Sequence, residues 1–140
     1  MIVVDDRLLF QVLAHKPSAA LREHVAEGIA TTSSWYFRLA RAMSSGRTEG
    51  ALSRLMGGLD GAEERVVRSS LADLPDSVLT VDLRLIVPLM TTIASVSAAN
   101  FLTLEALAVA ITLDAAVATT TRSSLLESVA GLVHVPVIAL

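Results

Sequence analysis

Few residues of this sequence are placed to do chemistry, and most of those are acids or hydroxyls. Asp5 and Asp6 follow directly on Ile2-Val-Val4, a short β-branched run of the kind that forms a buried strand. Glu105 lies two residues after Thr103, at the opening of an Ala- and Leu-rich stretch. Thr119, Thr120 and Thr121 close a second apolar run that begins at Ala115. A carboxylate at a strand end either caps the helix that follows or faces a ligand beyond the sheet edge, and both readings apply to Asp5. Glu105 likewise reads as a first-turn acid favoured by the helix dipole or as a site residue.

Other chemistries are excluded or lack support. The chain has no cysteine, which removes disulfides, thiolate zinc sites and cysteine nucleophiles. His15, His24 and His134 are scattered, without the i,i+4 spacing of a zinc pair or any motif of a catalytic triad. Gly57-Gly58 and Gly61 lack the lysine and the preceding strand of a phosphate-binding loop. Four arginines, Arg38, Arg41, Arg47 and Arg54, stand against Glu49 alone in one segment, a pattern that contacts phosphates or forms a solvated helix face. Trp35, Tyr36 and Phe37 are three of the chain's five aromatics. Adjacent helix positions face different sides, so one or two of them should be exposed as a base-stacking or partner contact. Trp35, Arg38 and Arg41 are the candidate contact residues for RNA or a protein.

The 140 residues, 53% apolar and 18% charged, suit one globular domain spanning residues 1–140 and exclude a disordered chain. A net charge of −3 argues against a generally basic nucleic-acid binder, and nothing points to DNA. The opening residues turn acidic at Asp5, unlike a secretory signal, which leads to the expectation of a cytoplasmic protein. The twenty residues from Leu85 to Leu104 carry no charge and meet the length rule for a membrane span. Pro88, Asn100 and several Ser and Thr interrupt them, however, so two buried helices are the better reading and a small membrane-associated protein the weaker one.

The elements that must position these residues alternate. Strands are expected at 2–4, 29–32, 115–119 and 133–138, with 78–81 ambiguous between strand and helix entry. Helices are expected after Asp5, over 19–27, from Ser33 or Ser34 to Met43, over 50–56, 62–72 and 83–97, over 104–113 capped by Thr103, and over 123–130. Pro88 is expected in a first turn, and Pro136 suggests an edge strand. Short apolar strands joined by helices predict an α/β fold of three layers, α/β/α, around a parallel sheet of four or five strands. In such sheets ligands bind beyond the carboxyl ends of the strands, which puts Asp5 and Thr119 to Thr121 at one mouth if their strands are neighbours.

With these motifs in this order, the chain resembles the PIN-domain family, metal-dependent ribonucleases that include toxins of toxin–antitoxin pairs. Ile2-Val-Val-Asp-Asp-Arg-Leu-Leu9 is similar to the family's first strand ending in a metal-binding aspartate, here Asp5. Thr103-Leu-Glu-Ala-Leu-Ala-Val-Ala110 resembles its acidic helix start, with Glu105 as the acid. Ala115-Val-Ala-Thr-Thr-Thr-Arg-Ser-Ser-Leu125 resembles its late strand and Thr-x-Asp turn, and 133–140 its last strand. The resemblance implies catalytic positions at Asp5, Glu105 and Thr121, Mg²⁺ or Mn²⁺ held by Asp5 and Glu105, RNA as substrate, an antitoxin-like partner and a homodimer.

The acidic set is nevertheless depleted. The family's second acid sits in the helix that here reads Ser34-Trp-Tyr-Phe-Arg-Leu-Ala-Arg41, with Arg38 or a neighbour in its place, and its last acid is Thr121. Hard cations draw most of their binding charge from carboxylates, and a guanidinium pairs with a carboxylate instead. Arg38 or Arg41 is therefore expected to neutralise Asp5 or Glu105. The leading expectation is a PIN-like domain with a degenerate metal site, non-catalytic or weakly active, acting through RNA or protein binding. An active Mg²⁺- or Mn²⁺-dependent ribonuclease using Asp5 and Glu105 is the alternative.

Overall fold

In the computed structural model, which describes residues 1–44 and 56–140, five strands form one sheet in the order β3-β2-β1-β4-β5, with every neighbouring pair parallel. The strands are β1 (Ile2–Val4), β2 (Ile29–Thr31), β3 (Val78–Thr80), β4 (Ala116–Thr119) and β5 (Val137–Ala139). The helices are α1 (Asp6–Leu13), α2 (Ala19–Val25), α3 (Ser33–Ser44), α4 (Gly61–Ala72), α5 (Leu83–Val96), α6 (Phe101–Leu113) and α7 (Ser124–Leu132). The helix expected over 50–56 falls almost wholly outside the described residues, as do Arg47, Glu49 and Arg54.

The period-two alternation of the strands builds the layers. Val3, Ala30 and Val117 point to one face, where they pack with Ile86, Met90 and Ile93 of α5, Leu107 of α6 and Leu126 of α7. Ile2, Val4, Ile29 and Ala118 point to the other, against Leu8, Leu9 and Leu13 of α1, Leu39 of α3 and Val67 of α4. Each fully buried aliphatic side chain of these cores contributes about 1.5–3 kcal/mol of transfer free energy. The three-layer α/β fold expected from the sequence is the one observed. The ambiguous run at 78–81 is an edge strand, and β5 occupies the other edge, as Pro136 suggests.

Several boundaries differ from expectation for local reasons. The cap of α6 is Asn100, whose Oδ1 accepts from Thr103 N at 3.0 Å, so the helix starts earlier and Thr103 lies inside it. Pro88 lies inside α5 rather than in its first turn. Its side is exposed, and so is Arg84, whose carbonyl the missing N–H would have met. Thr32, not Ser33 or Ser34, caps α3, with its Oγ1 accepting from Trp35 N. Gly28, at φ +105°, makes the turn from α2 into β2 that a residue with a Cβ would resist. The uncharged Leu85–Leu104 stretch splits into α5 and α6, bent by 119°, and among the described residues no single helix is long and apolar enough to cross a membrane.

Candidate functional site

The strand order reverses between β1 and β4, because β2 and β3 extend the sheet one way and β4 and β5 the other. Open parallel sheets bind ligands at the carboxyl side of such a switch point. Asp5 ends β1 there and Thr120 follows β4. They are joined directly: Asp5 Oδ2 accepts from Thr120 N at 2.8 Å and from Thr120 Oγ1 at 3.1 Å. Asp5 Oδ1 accepts from Arg7 N at 3.1 Å and Leu8 N at 2.9 Å, the N-cap of α1. Each carboxylate oxygen thus takes two donors. Asp5 both caps the helix and ties the first strand's end to the fourth's.

Glu105 has the lowest exposure of any charged residue described, 0%. Its Oε1 accepts from Ser33 N at 2.9 Å and its Oε2 from Ser34 N at 3.1 Å. These are orphan N–H groups of the first turn of α3, where a carboxylate also meets the positive end of the helix dipole. Glu105 therefore staples α6 to α3 from within the core. It does not line the cavity at the switch point, whereas Asp5 and Thr121 do. The expectation that Asp5 and Glu105 meet in one open pocket is corrected accordingly.

The cavity at the switch point measures about 230 Å³, and its wall includes Asp6, Arg7, Trp35, Arg38, Asn100 and Ser123. Arg38 reaches from α3 to within 3.2 Å of Asp6 Oδ2 on α1. A guanidinium does occupy the mouth, but its partner is Asp6 rather than Asp5 or Glu105. Arg41 is exposed and does not take part in the cavity wall. Of the three adjacent aromatics Phe37 is 63% exposed, while Trp35, a candidate contact residue, is only 6% exposed and packs into the core with a part in the cavity wall. The helix wheel explains this: Trp35, Leu39 and Met43 share the inward stripe of α3. Tyr36 is half-buried and donates its hydroxyl to Leu71 O.

Asp6 is as buried as Asp5 but differs from it in its partners. It is 5% exposed, yet its Oδ2 has no hydrogen-bond donor, since Arg38 comes close without aligning an N–H. Burial, the largest influence, pushes its carboxyl above the usual aspartate value. Arg38 and then Arg7 pull it down, and Asp5 between them in strength pushes it up. Arg7 and Asn100 were not singled out from the sequence. The position of Arg7, next to the acidic pair that ends a strand, was the available signal.

These groups do not suit a hard divalent cation. The lone pairs of Asp5 are taken by N–H and O–H donors, Glu105 is sealed in the core, Asp6 faces a guanidinium and Thr121 offers a hydroxyl. Among the described residues, no cluster of three or more His, Cys, Asp or Glu side chains is arranged to hold a metal ion. A larger cavity of about 370 Å³ lies between α1, α2 and β3, lined mainly by apolar groups such as Val12, Leu13, Pro17 and Val78, and brings no cluster of charged groups together.

No family model matches the chain, and no curated protein matches it in sequence. Its fold is similar to that of a chain in the crystal structure of FitAcB from Neisseria gonorrhoeae, with a TM-score of 0.57 at 16% identity, covering 99% of this chain and 96% of that one. The architecture is PIN-like, as the sequence resemblance implied.

Proposed function

We propose that the chain is a PIN-like domain whose metal centre has been rebuilt as a hydrogen-bonded node, and that it acts by binding at the switch-point cavity without metal-dependent hydrolysis. The contact of Arg38 with Asp6 is the observation that carries this reading. A cation covalently fixed to α3 stands against the carboxylate where a divalent ion would need open negative charge. RNA or an antitoxin-like protein is the partner class, in keeping with the PIN resemblance and supported by the fold shared with FitAcB. Arg7 and Arg38 at the mouth, and exposed Phe37 on the same helix as Arg38, supply polar and apolar contacts for either.

Calorimetric titration with Mn²⁺ tests the reading, with RNA cleavage measured alongside. Added Mn²⁺ should give no stoichiometric binding and no rise in melting temperature, because only a ligand that binds the folded state stabilises it. One-to-one Mn²⁺ binding that Asp5→Asn abolishes, or RNA cleavage lost in both Asp5→Asn and Glu105→Gln, would establish the ribonuclease alternative instead.

A further inference from the structure

Helix α5 carries two apolar stripes, and the fold buries only one of them. Ile86, Met90 and Ile93 face the core. On the adjacent flank, Leu85, Leu89, Thr92 and Val96 follow the i, i+4, i+7, i+11 spacing of a heptad seam. Leu85 is 70% exposed and Val96 64%, and Phe101, just past the connection to α6, is 53% exposed. Among the described residues these are three of the five most exposed large apolar side chains. Apolar residues scattered singly over a surface are ordinary, but a row of them along one helix marks a contact surface.

Two further observations fit a dry contact. The hydroxyls of Thr91, Thr92, Ser95 and Ser97 donate back to the helix's own carbonyls, Val87 O, Pro88 O, Thr92 O and Ile93 O, at 3.0, 3.1, 2.7 and 2.9 Å. Their O–H groups are satisfied within α5, so covering this helix orphans no hydroxyl donor. The run from Leu85 to Leu104 also holds no charged side chain, so covering the stripe desolvates no ion of its own. Depletion of charge is what distinguishes the core of a protein interface.

Symmetry and charge select the occupant. When two copies of α5 run antiparallel about a two-fold axis, Leu85 meets the partner's Val96 and Leu89 meets the partner's Thr92. The stripe is thus its own complement, as an isologous contact requires. At the rim, Arg84 falls beside the carboxyl end of the other α5, whose last turn has no basic residue of its own and whose dipole favours a cation. A bilayer fits less well. The 14 residues of α5 fall short of the roughly 20 that span a membrane, and the stripe lacks the rows of Lys and Arg that hold amphipathic helices on lipid surfaces.

We propose that α5 is the two-fold dimer seam of this chain, an antiparallel helix pair with Leu85 set against the partner's Val96. The 14 residues of α5 extend about 21 Å, which makes a small interface, so the dissociation constant should be roughly micromolar. The inference does not depend on the reading of the switch-point cavity, and the Mn²⁺ titration does not bear on it.

Sedimentation velocity of the full chain from about 1 to 200 μM should show a monomer–dimer equilibrium. Leu85→Asp should weaken the dimer about 100-fold or more, because symmetry places the unpaired carboxylate in the seam twice. Val87→Asp, on the same helix but off the stripe, should leave it unchanged. Both positions are exposed in the single copy, so neither variant should lower the melting temperature of the monomer appreciably. The chain has no cysteine, which allows the register to be read directly. Chains carrying Leu85→Cys and chains carrying Val96→Cys should cross-link to each other on mild oxidation much faster than either does to itself. A monomer at every concentration, a dimer that Leu85→Asp leaves intact or that Val87→Asp weakens equally, or self-cross-linking in preference to mixed would overturn the seam. So would a monomer that co-sediments with phosphatidylcholine vesicles, which would assign the stripe to a lipid surface.

Discussion

Asp5 and Asp6 are consecutive aspartates, both nearly buried, and the structure treats them in opposite ways. Asp5 faces the seam between β1 and β4, where four donors converge on its two oxygens. Asp6 faces the gap between α1 and α3, where one oxygen has only a misaligned guanidinium near it. The first arrangement makes a rigid joint. The second holds a charge that the fold does not satisfy, and unsatisfied buried charge is a mark of binding sites more than of scaffolds. Both residues contribute to the cavity wall, but the first is tied into the scaffold and the second stands beside a guanidinium.

Glu105 belongs with Asp5 on the structural side of this contrast, and it should show the largest effect. Glu105→Ala removes both acceptors from Ser33 N and Ser34 N and leaves a cavity in a fully buried position. The expected loss is about 3–5 kcal/mol in chemical denaturation, enough to leave much of the chain unfolded. Glu105→Gln keeps the volume and one acceptor, so it should lose less than half of that. Equal stability of Glu105→Ala and the parent would move Glu105 out of the scaffold and back among candidate ligands.

Asp5 comes next. Asp5→Ala loses the helix cap and the bridge to Thr120, an expected cost of about 2–3 kcal/mol. Asp5→Asn retains an acceptor for the cap, since Asn is among the best N-cap residues, and gives up part of the Thr120 bridge for about 1 kcal/mol. Urea denaturation midpoints at constant m-value would read both. A metal ligand without a structural role would show the reverse pattern, with little loss of stability and complete loss of metal-dependent activity in both variants.

The pair at the mouth should behave differently. Arg38→Met strips the charge that faces Asp6, and because Arg38 is half-exposed the loss should be about 1 kcal/mol. Asp6→Asn should be close to neutral. Combined, the two should be more stable than the single-mutant losses add up to, since removal of both charges leaves no unpaired buried ion. A double-mutant cycle with no coupling would mean that Arg38 touches Asp6 without interacting energetically.

How far the sequence revealed this site depends on what kind of information each part carries. Four strands were legible because short apolar runs such as Ile2-Val-Val4, linked by helices, leave few arrangements other than a parallel sheet, whereas 78–81, exposed at two of its three strand positions on an edge, carries too weak a pattern to be told from a helix entry. Asp5 and the threonines at the end of β4 were legible as partners because both terminate strands. The role of Glu105 was not, because a carboxylate at 0% exposure and a carboxylate at a pocket rim look alike in a Thr-x-Glu helix start; only the approach of α3 distinguishes them. The arginine in the mouth was foreseen by residue type, but its partner was not. Asp5 and Asp6 are adjacent, and the half-turn that sends one to β4 and the other to α3 is a property of the cap geometry. Of the three consecutive aromatics, the helical spacing of Trp35 with Leu39 and Met43 marks the buried one, and Phe37 is the one left exposed.

The smallest and sharpest test of the contrast is pH. Asp6 is pushed above the ordinary value of 3.8, chiefly by burial, and Arg38 and Arg7 do not fully offset it. In the interval between 3.8 and its raised folded value, the folded chain holds a proton that the unfolded chain has released. Protons bound by the native state exceed those bound by the unfolded state there, so this group makes stability fall as pH rises through the interval and adds no further change above it. Asp60 and Glu63 act in the opposite sense. Their carboxyls are held below the ordinary values, Asp60 by the N–H groups of Glu63 and Ala62 and Glu63 by Lys16 and Asp60 N, so their contributions are lost as pH falls. The total curve mixes both signs, and the difference curve between parent and Asp6→Asn isolates one. It should slope downward with rising pH just above 3.8 and then flatten. An upward slope would mean that the fold holds Asp6 in its charged form, and the unsatisfied state that sets it apart would be absent.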